Sequence, residues 1–242
     1  MHILKAEGLK KIIHNRNILK GIDIEVRQGE IVGLLGPNGA GKTTTFMILI
    51  GELKTDYGKI SFDDSDISKL PMHKRAKLGI SYLPQESSVF RGLTVEENIL
   101  SYLEFNCNSR TEMYKRLDEV LDMFKMTSKR KILAKNLSGG EKRRLEIMRA
   151  FSLKPFLMLL DEPFSGVDPI TVDNLQKIIL QLKAKNIGLL ITDHNVHEIF
   201  EIADRTYIIN DGRVLAEGDP KKIEKNEIVR KIFLGELFHI NS

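Results

Sequence analysis

Cysteine is almost absent from this chain. Cys107 stands alone among 242 residues, so no internal disulfide can form and a reducing compartment is the natural setting. Cys107 itself reads as a small apolar residue of the core. Membrane-length hydrophobic runs are missing too. The apolar stretches Ile31–Leu35 and 156–160 fall far short of the roughly 20 residues that cross a bilayer. The opening MHILKAEGLKK has no apolar signal-peptide core. Any membrane role is therefore expected to pass through a partner. No repeat or low-complexity tract is present, which excludes solenoid and fibrous architectures. Charge of one sign is also lacking: 37 Lys and Arg against 33 Asp and Glu leave only +4. That balance fits an ordinary solvated face, phosphate ligands or a membrane surface alike. What remains, 42% apolar and 29% charged residues, is a globular composition, long enough for one large domain or two small lobes.

The most specific stretch is GPNGAGKTT at residues 36–44. It fits G-x-x-x-x-G-K-[ST], in which glycines let successive amides turn inward on one anion. The nucleotide-binding set is Gly36, Pro37, Asn38, Gly39, Ala40, Gly41, Lys42, Thr43 and Thr44. Lys42 supplies charge to the β- and γ-phosphates, and Thr43 a hydroxyl to Mg²⁺. A buried strand is expected before the loop at Ile31–Leu35 and a helix after it at Lys42–Ile50, so phosphate meets a helix N-terminus.

Around this loop the chain alternates strands and helices, which gives an α/β core. Half-buried strands are expected at 3–6 and 22–26, a Tyr57-Gly58 turn before a strand at 59–62, and a buried strand at 79–83 ending at Pro84. From Thr94 the texture turns helical. Thr94 and Glu97 make a capping box ahead of 98–105, and Met113, Leu117, Val120, Leu121 and Phe124 recur at helical spacing over 111–125. Then follow a strand at 156–160, a helix at 169–185, a strand at Gly188–Thr192, a short helix, and strands flanking the Asp211-Gly212 hairpin.

The strand at 156–160 ends in Asp161-Glu162. Carboxylates there reach the ligand-binding edge of an open α/β sheet. Asp161 is expected to hold Mg²⁺ directly or through water, and Glu162 to polarise an attacking water. Two acids at a strand end can also merely cap a turn; the phosphate loop favours the chemical role. His194 follows the strand Gly188–Thr192, placed to bridge Glu162 and the γ-phosphate, and Gln85 follows Pro84, placed to touch both Mg²⁺ and the water.

LSGGE, comprising Leu137, Ser138, Gly139, Gly140 and Glu141, has a capping-box spacing with two glycines inside the first turn. Those glycines cost helix stability, and close approach of an anion to the helix end explains them. One ATP is not easily cradled by both helix ends of a single fold. A two-fold dimer, each chain offering its helix to the other's nucleotide, solves this. Asp168 caps a further helix with Pro169 in its first turn.

Together these residues resemble the ATP-binding subunits of ABC transporters, over nearly the whole chain. On that resemblance, residues 36–43 are the Walker A loop, Gln85 the Q-loop, Leu137 to Glu141 the signature and Leu157–Asp161 the Walker B strand. Glu162 is then the catalytic glutamate, Ser165, Gly166, Val167 and Asp168 the D-loop, and His194 the H-loop. The resemblance implies one ABC-type P-loop ATPase domain over 1–242. Its RecA-like core and N-terminal antiparallel β subdomain would occupy 1–92 and 148–242, and an inserted α-helical signature subdomain about 93–147. It implies ATP and Mg²⁺, a homodimer that sandwiches two ATP, and motion that drives membrane subunits.

A narrower likeness is carried by GLLGPNGAGKTTTF, YLPQESSVFRGLTVEENI, LDEPFSGVDPITV, ITDHNVHE and VRKIFLGELF. These are similar to the ATPase subunits of bacterial lipopolysaccharide exporters. That likeness implies two permease subunits, LptF- and LptG-like, with LptC, and a peripheral place on the cytoplasmic face of the inner membrane. ATPases of branched-chain amino acid importers share much of the pattern; the D-loop surroundings and the ending favour the exporter. Nucleic-acid-handling members carry long coiled coils between loop and signature, or two copies of the set. This chain has one copy and no sustained heptads.

The family usually stacks an aromatic on adenine near position 13, where this chain has Ile13 beside His14. Aliphatic contact with the base and looser discrimination of ATP from GTP are expected. Val89, Phe90 and Arg91, in an exposed loop before the capped helix, are the expected docking site for a membrane-subunit helix. The apolar stretch 228–240 is read either as dimer interface or as cover for its own core.

Overall fold

The computed structural model describes residues 1–104, 107, 109–226 and 229. The N-terminal hairpin pairs β1 (Ile3–Ile13) with β2 (Arg16–Arg27) about a His14-Asn15 turn in which both residues take positive φ, 46° and 62°. Then come β3 (Ile31–Leu35), α1 (Lys42–Ile50), β4 (Tyr57–Phe62), β5 (Ser65–Asp66), α2 (Met72–Lys77) and β6 (Ile80–Leu83). A helical stretch follows: α3 (Val95–Leu103), α4 (Arg110–Met123) and α5 (Gly139–Ser152). The chain then runs through β7 (Leu157–Asp161), α6 (Pro169–Ala184), β8 (Gly188–Thr192), α7 (Val196–Ile202), β9 (Arg205–Asn210), β10 (Arg213–Gly218) and α8 (Pro220–Glu224).

Two sheets result. An antiparallel one has the order β2-β1-β4-β5, and a larger one β10-β9-β3-β8-β7-β6. Within the larger sheet only the β9–β10 hairpin is antiparallel; β9, β3, β8, β7 and β6 run parallel. Parallel strands must be covered on both faces, and β7 shows how. Leu157 and Leu159 join the core beneath the antiparallel sheet and α1, while Met158 and Leu160 join the core beneath α3 to α7. Every residue of β3, β7 and β8 is buried. Because the strands share a direction, Leu35, Leu83, Asp161 and Thr192 all end at one edge. There the chain leaves the sheet and side chains become available for chemistry.

Some expectations shift. Tyr57 and Gly58 lie within β4, not in a turn, because Gly58 closes onto the irregular register of β1 near Glu7 and Gly8. The capped helix begins at Val95, directly after Thr94, whose side chain and Glu97 complete the capping box. The expected end of that helix at Phe105 is outside the described residues, as is the stretch 228–240 apart from Val229, which is buried. Helix α2 has no apolar stripe; its buried residue is Arg75. The Arg75 guanidinium donates to the carbonyls of Ile48 at 2.8 Å and Leu49 at 2.7 Å, capping the C-terminal end of α1 with positive charge. Burial pushes its pKa down to about 10.

Gly33, midway along β3, is what allows α7 to lie close on the sheet. A Cβ there would stand 2.6 Å from Ile199 Cγ2 and 2.8 Å from Thr206 Cγ2, both stiff β-branched methyls. Gly33→Val is expected to cost about 1–3 kcal/mol through overpacking. Urea denaturation midpoints test this, and an unchanged midpoint would refute the packing account.

Candidate active site

Residues 36–41 leave β3 and lead into α1, with Gly41 as its N-cap. Gly41 takes φ 106°, open chiefly to glycine, and provides no side-chain cap, so no cap side chain competes for the first-turn amides. Lys42 folds back over the loop, its Nζ donating to Gly36 O at 2.6 Å and Pro37 O at 3.1 Å. Burial lowers the Lys42 pKa, and the carboxylates of Glu162 and Asp161 oppose that shift.

A cleft of about 400 Å³ opens here, lined by Ile18, Asn38, Gly39, Gly41, Lys42, Thr43, Thr44, Gln85, Glu162 and His194. Parallel strand ends thus bring the phosphate loop against the residues after β6, β7 and β8. Glu162 is held by both oxygens: Oε1 lies 2.7 Å from His194 Nε2, and Oε2 accepts from Gln85 Nε2 at 2.8 Å. Its own backbone is in the left-handed region, φ 48°, an uncommon state for a side-chain-bearing residue. Asp161 is buried, and Tyr82 Oη donates to its Oδ2 at 3.3 Å. Burial raises the Asp161 pKa, with the Glu162 charge adding to the rise and the Tyr82 bond opposing it. His194 is about half exposed, so it reaches both the carboxylate and the open cleft.

This arrangement can neutralise a polyphosphate at one end and hold a carboxylate toward water at the other. It has no preformed metal cage: among the described residues no group of three or more His, Cys, Asp or Glu could hold an ion. Thr43 and Gln85 line the cleft and Asp161 is buried beside Glu162, so the oxygens on offer, a hydroxyl, an amide carbonyl and a carboxylate, are few and hard. Such a set suits Mg²⁺, which keeps waters and phosphate oxygens as its remaining ligands.

The other predicted residues lie outside the cleft. Ile13 ends β1 and is half-buried; from this hairpin Ile18 lines the cleft, an aliphatic residue the sequence reading passed over. Leu137 to Glu141 do not line it either. Ser138 Oγ accepts from Glu141 N at 3.2 Å, and Glu141 Oε2 accepts from Ser138 N at 3.0 Å, so the capping box is closed. The two glycines have different causes. Beside Gly139 an added Cβ meets nothing within 4 Å, whereas at Gly140 it would stand 2.4 Å from Thr171 Cγ2. Packing within the chain is therefore a sufficient reason for glycine at 140, whereas nothing within the chain accounts for Gly139. Thr171 donates through Oγ1 to Asp168 Oδ2 at 2.6 Å, which ties this contact to the cap of α6. Ser165 and Gly166 are exposed and Val167 half-buried between Glu162 and that cap. In the loop 87–92, Val89 packs on the core while Phe90 and Arg91 are exposed, and the Phe90 ring lies 4.8 Å from the Arg149 guanidinium.

Two residues close to the site, the half-buried Tyr82 and the buried Arg143, had drawn no notice from sequence. Tyr82 stands one position before the end of β6, and Arg143 lies two past Glu141. Arg143 donates to the carbonyls of Asp161, Glu162, Pro163 and Pro84. The usable signal for Arg143 was charge recurring at 143, 146 and 149 along a face of α5 that must be buried.

The family model described as ABC transporter matches residues 19–165. A probable ABC transporter ATP-binding protein of Azorhizobium caulinodans is 50% identical over 237 residues, 98% of this chain and 84% of that protein. The lipopolysaccharide export system ATP-binding protein LptB of Haemophilus influenzae is 47% identical over 241 residues, 99% of this chain and 100% of that one. LptB of Escherichia coli is 45% identical over the same coverage. Among solved structures, the ADP conformation of an ATP-binding cassette of an ABC transporter superposes with TM-score 0.86 at 28% identity, over 97% of this chain and 99% of that chain.

The two signature glycines give separable predictions. Gly140→Ala should lower stability by about 1–3 kcal/mol by pressing on Thr171. Gly139→Ala should change it by less than about 1 kcal/mol. Thermal denaturation of both variants decides; equal losses would remove the distinction.

Proposed function

This chain belongs to the ABC transporter ATP-binding family, whose members are ATP-hydrolysing transport subunits, and on that premise we propose that it powers the extraction of lipopolysaccharide from the inner membrane for export. Its fold is accordingly that of an ABC-type P-loop ATPase. What supports the cargo is the end-to-end match to LptB proteins of several bacteria, 45–47% identical over 98–99% of this chain. Among the described residues no helix is long and apolar enough to span a bilayer. The reading therefore assigns the membrane path to two LptF- and LptG-like subunits with LptC, and the ATPase to a homodimer on their cytoplasmic face.

In this reading the 36–44 loop and Lys42 bind the phosphates of ATP, and the aliphatic side chains of Ile13 and Ile18 from the first hairpin border the base. Glu162 orients the attacking water and takes its proton as the γ-phosphorus–oxygen bond to ADP breaks. His194 and Gln85 fix the carboxylate for that task. Thr43, Gln85 and Asp161 would hold Mg²⁺, which when bound neutralises phosphate charge. Ser138, Gly139 and the helix behind them face the nucleotide of the opposite subunit, with Ser165 to Asp168 at the same interface. Val89, Phe90 and Arg91 receive a helix of the membrane subunit.

Glu162→Gln keeps the hydrogen-bonding shape and removes the base. Turnover should fall by roughly 10²-fold or more while ATP binding persists. Retained turnover would refute the assignment of Glu162. The cargo is tested by affinity purification from detergent-solubilised membranes with mass spectrometry, beside a Phe90→Ala variant. LptF- and LptG-like subunits should co-purify with the wild type and be depleted with Phe90→Ala. An amino acid permease in their place would move the chain to the importer branch. Undiminished recovery with Phe90→Ala would remove the docking assignment alone.

A further inference from the structure

One face of α5 carries charge where an apolar stripe belongs. Arg143, Glu146 and Arg149 recur every three residues and are 7%, 4% and 2% exposed. A buried guanidinium is tolerated only when its donors are satisfied and its charge is matched. The Arg143 group achieves both. Nη2 donates to Asp161 O at 2.8 Å and Glu162 O at 2.9 Å, and Nε to Pro163 O at 3.2 Å. Nη1 donates to Pro84 O and to Glu146 Oε2, each at 2.9 Å. The other Glu146 oxygen, Oε1, accepts from Ser87 Oγ at 2.6 Å and Ser88 N at 2.9 Å. Arg149 continues the line, donating to Ser88 O at 2.5 Å and to Tyr102 Oη at 3.0 Å.

Three successive carbonyls, at 161, 162 and 163, converge on one rigid planar group. An extended strand points alternate carbonyls to opposite sides, so this convergence requires the chain to curl at Glu162, where φ is 48°. The Glu162 amide is fixed from the other side by donation to Thr192 O at 2.8 Å. The curl aims the Glu162 side chain at Gln85 and His194.

We propose that Arg143 and Glu146 are positioning residues that couple the loop at Ser87 and Ser88 to the backbone of Glu162. A shift of that loop moves Glu146, Glu146 moves Arg143, and Arg143 sets whether Glu162 stands in its working orientation. The inference draws on the hydrolysis common to the family and not on the identity of the cargo.

The test uses full-length protein with Arg143→Gln, Arg143→Lys and Ser87→Ala, reading ATP turnover and amide hydrogen exchange. Arg143→Gln should lower kcat about 10-fold or more with KM for ATP within about twofold. Arg143→Lys, which keeps the charge but has fewer directed donors, should recover part of that loss. Exchange at the Glu162 and Ser165 amides should rise about tenfold in Arg143→Gln, with the 36–44 loop unchanged. Ser87→Ala, at the far end of the chain of contacts, should raise Glu162 exchange in the same direction by a smaller factor. Wild-type exchange at Glu162 in Ser87→Ala would overturn the coupling, even if the Arg143 variants fail to fold. Wild-type kcat in folded Arg143→Gln, or a uniform rise in exchange across the domain, would overturn the positioning role. Failure of the hydrolytic assignment shows separately, as turnover surviving Glu162→Gln.

Discussion

Two adjacent carboxylates at the end of a fully buried strand are the constraint around which the site is arranged. Asp161 and Glu162 are both less than one-tenth exposed, and each would be costly in such a place without compensation. The fold answers with neighbours from three other strand ends at that edge: Tyr82 and Gln85 within or after β6, His194 after β8, and the Lys42 ammonium beyond β3. Parallel strand direction makes the answer possible. An antiparallel arrangement would send alternate strand ends to the opposite side of the sheet, and the carboxylates would face half as many partners.

The helix starts divide by their caps. Helices α3, α5 and α6 begin with Thr94, Ser138 and Asp168, each accepting from an amide in its own first turn. Helix α1 begins with Gly41 and has no such bond. Helices α2 and α7 also lack a side-chain cap; α1 is the one of these three whose first residues, Lys42, Thr43 and Thr44, line the cleft. At the other end of the same helix, the Arg75 guanidinium meets the carbonyls of Ile48 and Leu49.

What was legible in the sequence is what a ligand or a sheet edge prescribes residue by residue. The loop from Gly36 to Thr44 was placed between strand and helix from sequence because glycine, lysine and hydroxyl recur there at fixed spacing after an apolar run. Asp161 and Glu162 were placed at the sheet edge from sequence because an apolar run that ends in two acids marks where a buried strand stops. Ile18, Tyr82, Thr171 and Arg143 were not legible, because they act across long separations; Arg143 reaches Pro84 over 59 positions. Nothing local marks such a contact. Helix α2 was missed for a related reason, since its buried anchor is an arginine and period analysis weighs only apolar residues. Gly140 has a second cause that the sequence did not show: an added Cβ would meet Thr171, a neighbour that only the fold supplies.

The contact between Gly140 and Thr171 also bears on how this sequence can diverge. An added methyl at 140 would meet both branches of the threonine, 2.4 Å from Cγ2 and 2.7 Å from Oγ1. Drift at one position therefore closes off the other: a relative with alanine at 140 has to carry something smaller than threonine at 171. Serine would remove the Cγ2 contact, but its oxygen, kept in place to donate to Asp168, would still stand 2.7 Å from the added methyl, so the two positions are tied through both branches of the threonine. Two segments that look like separate motifs in the sequence are, by this reckoning, a single heritable unit.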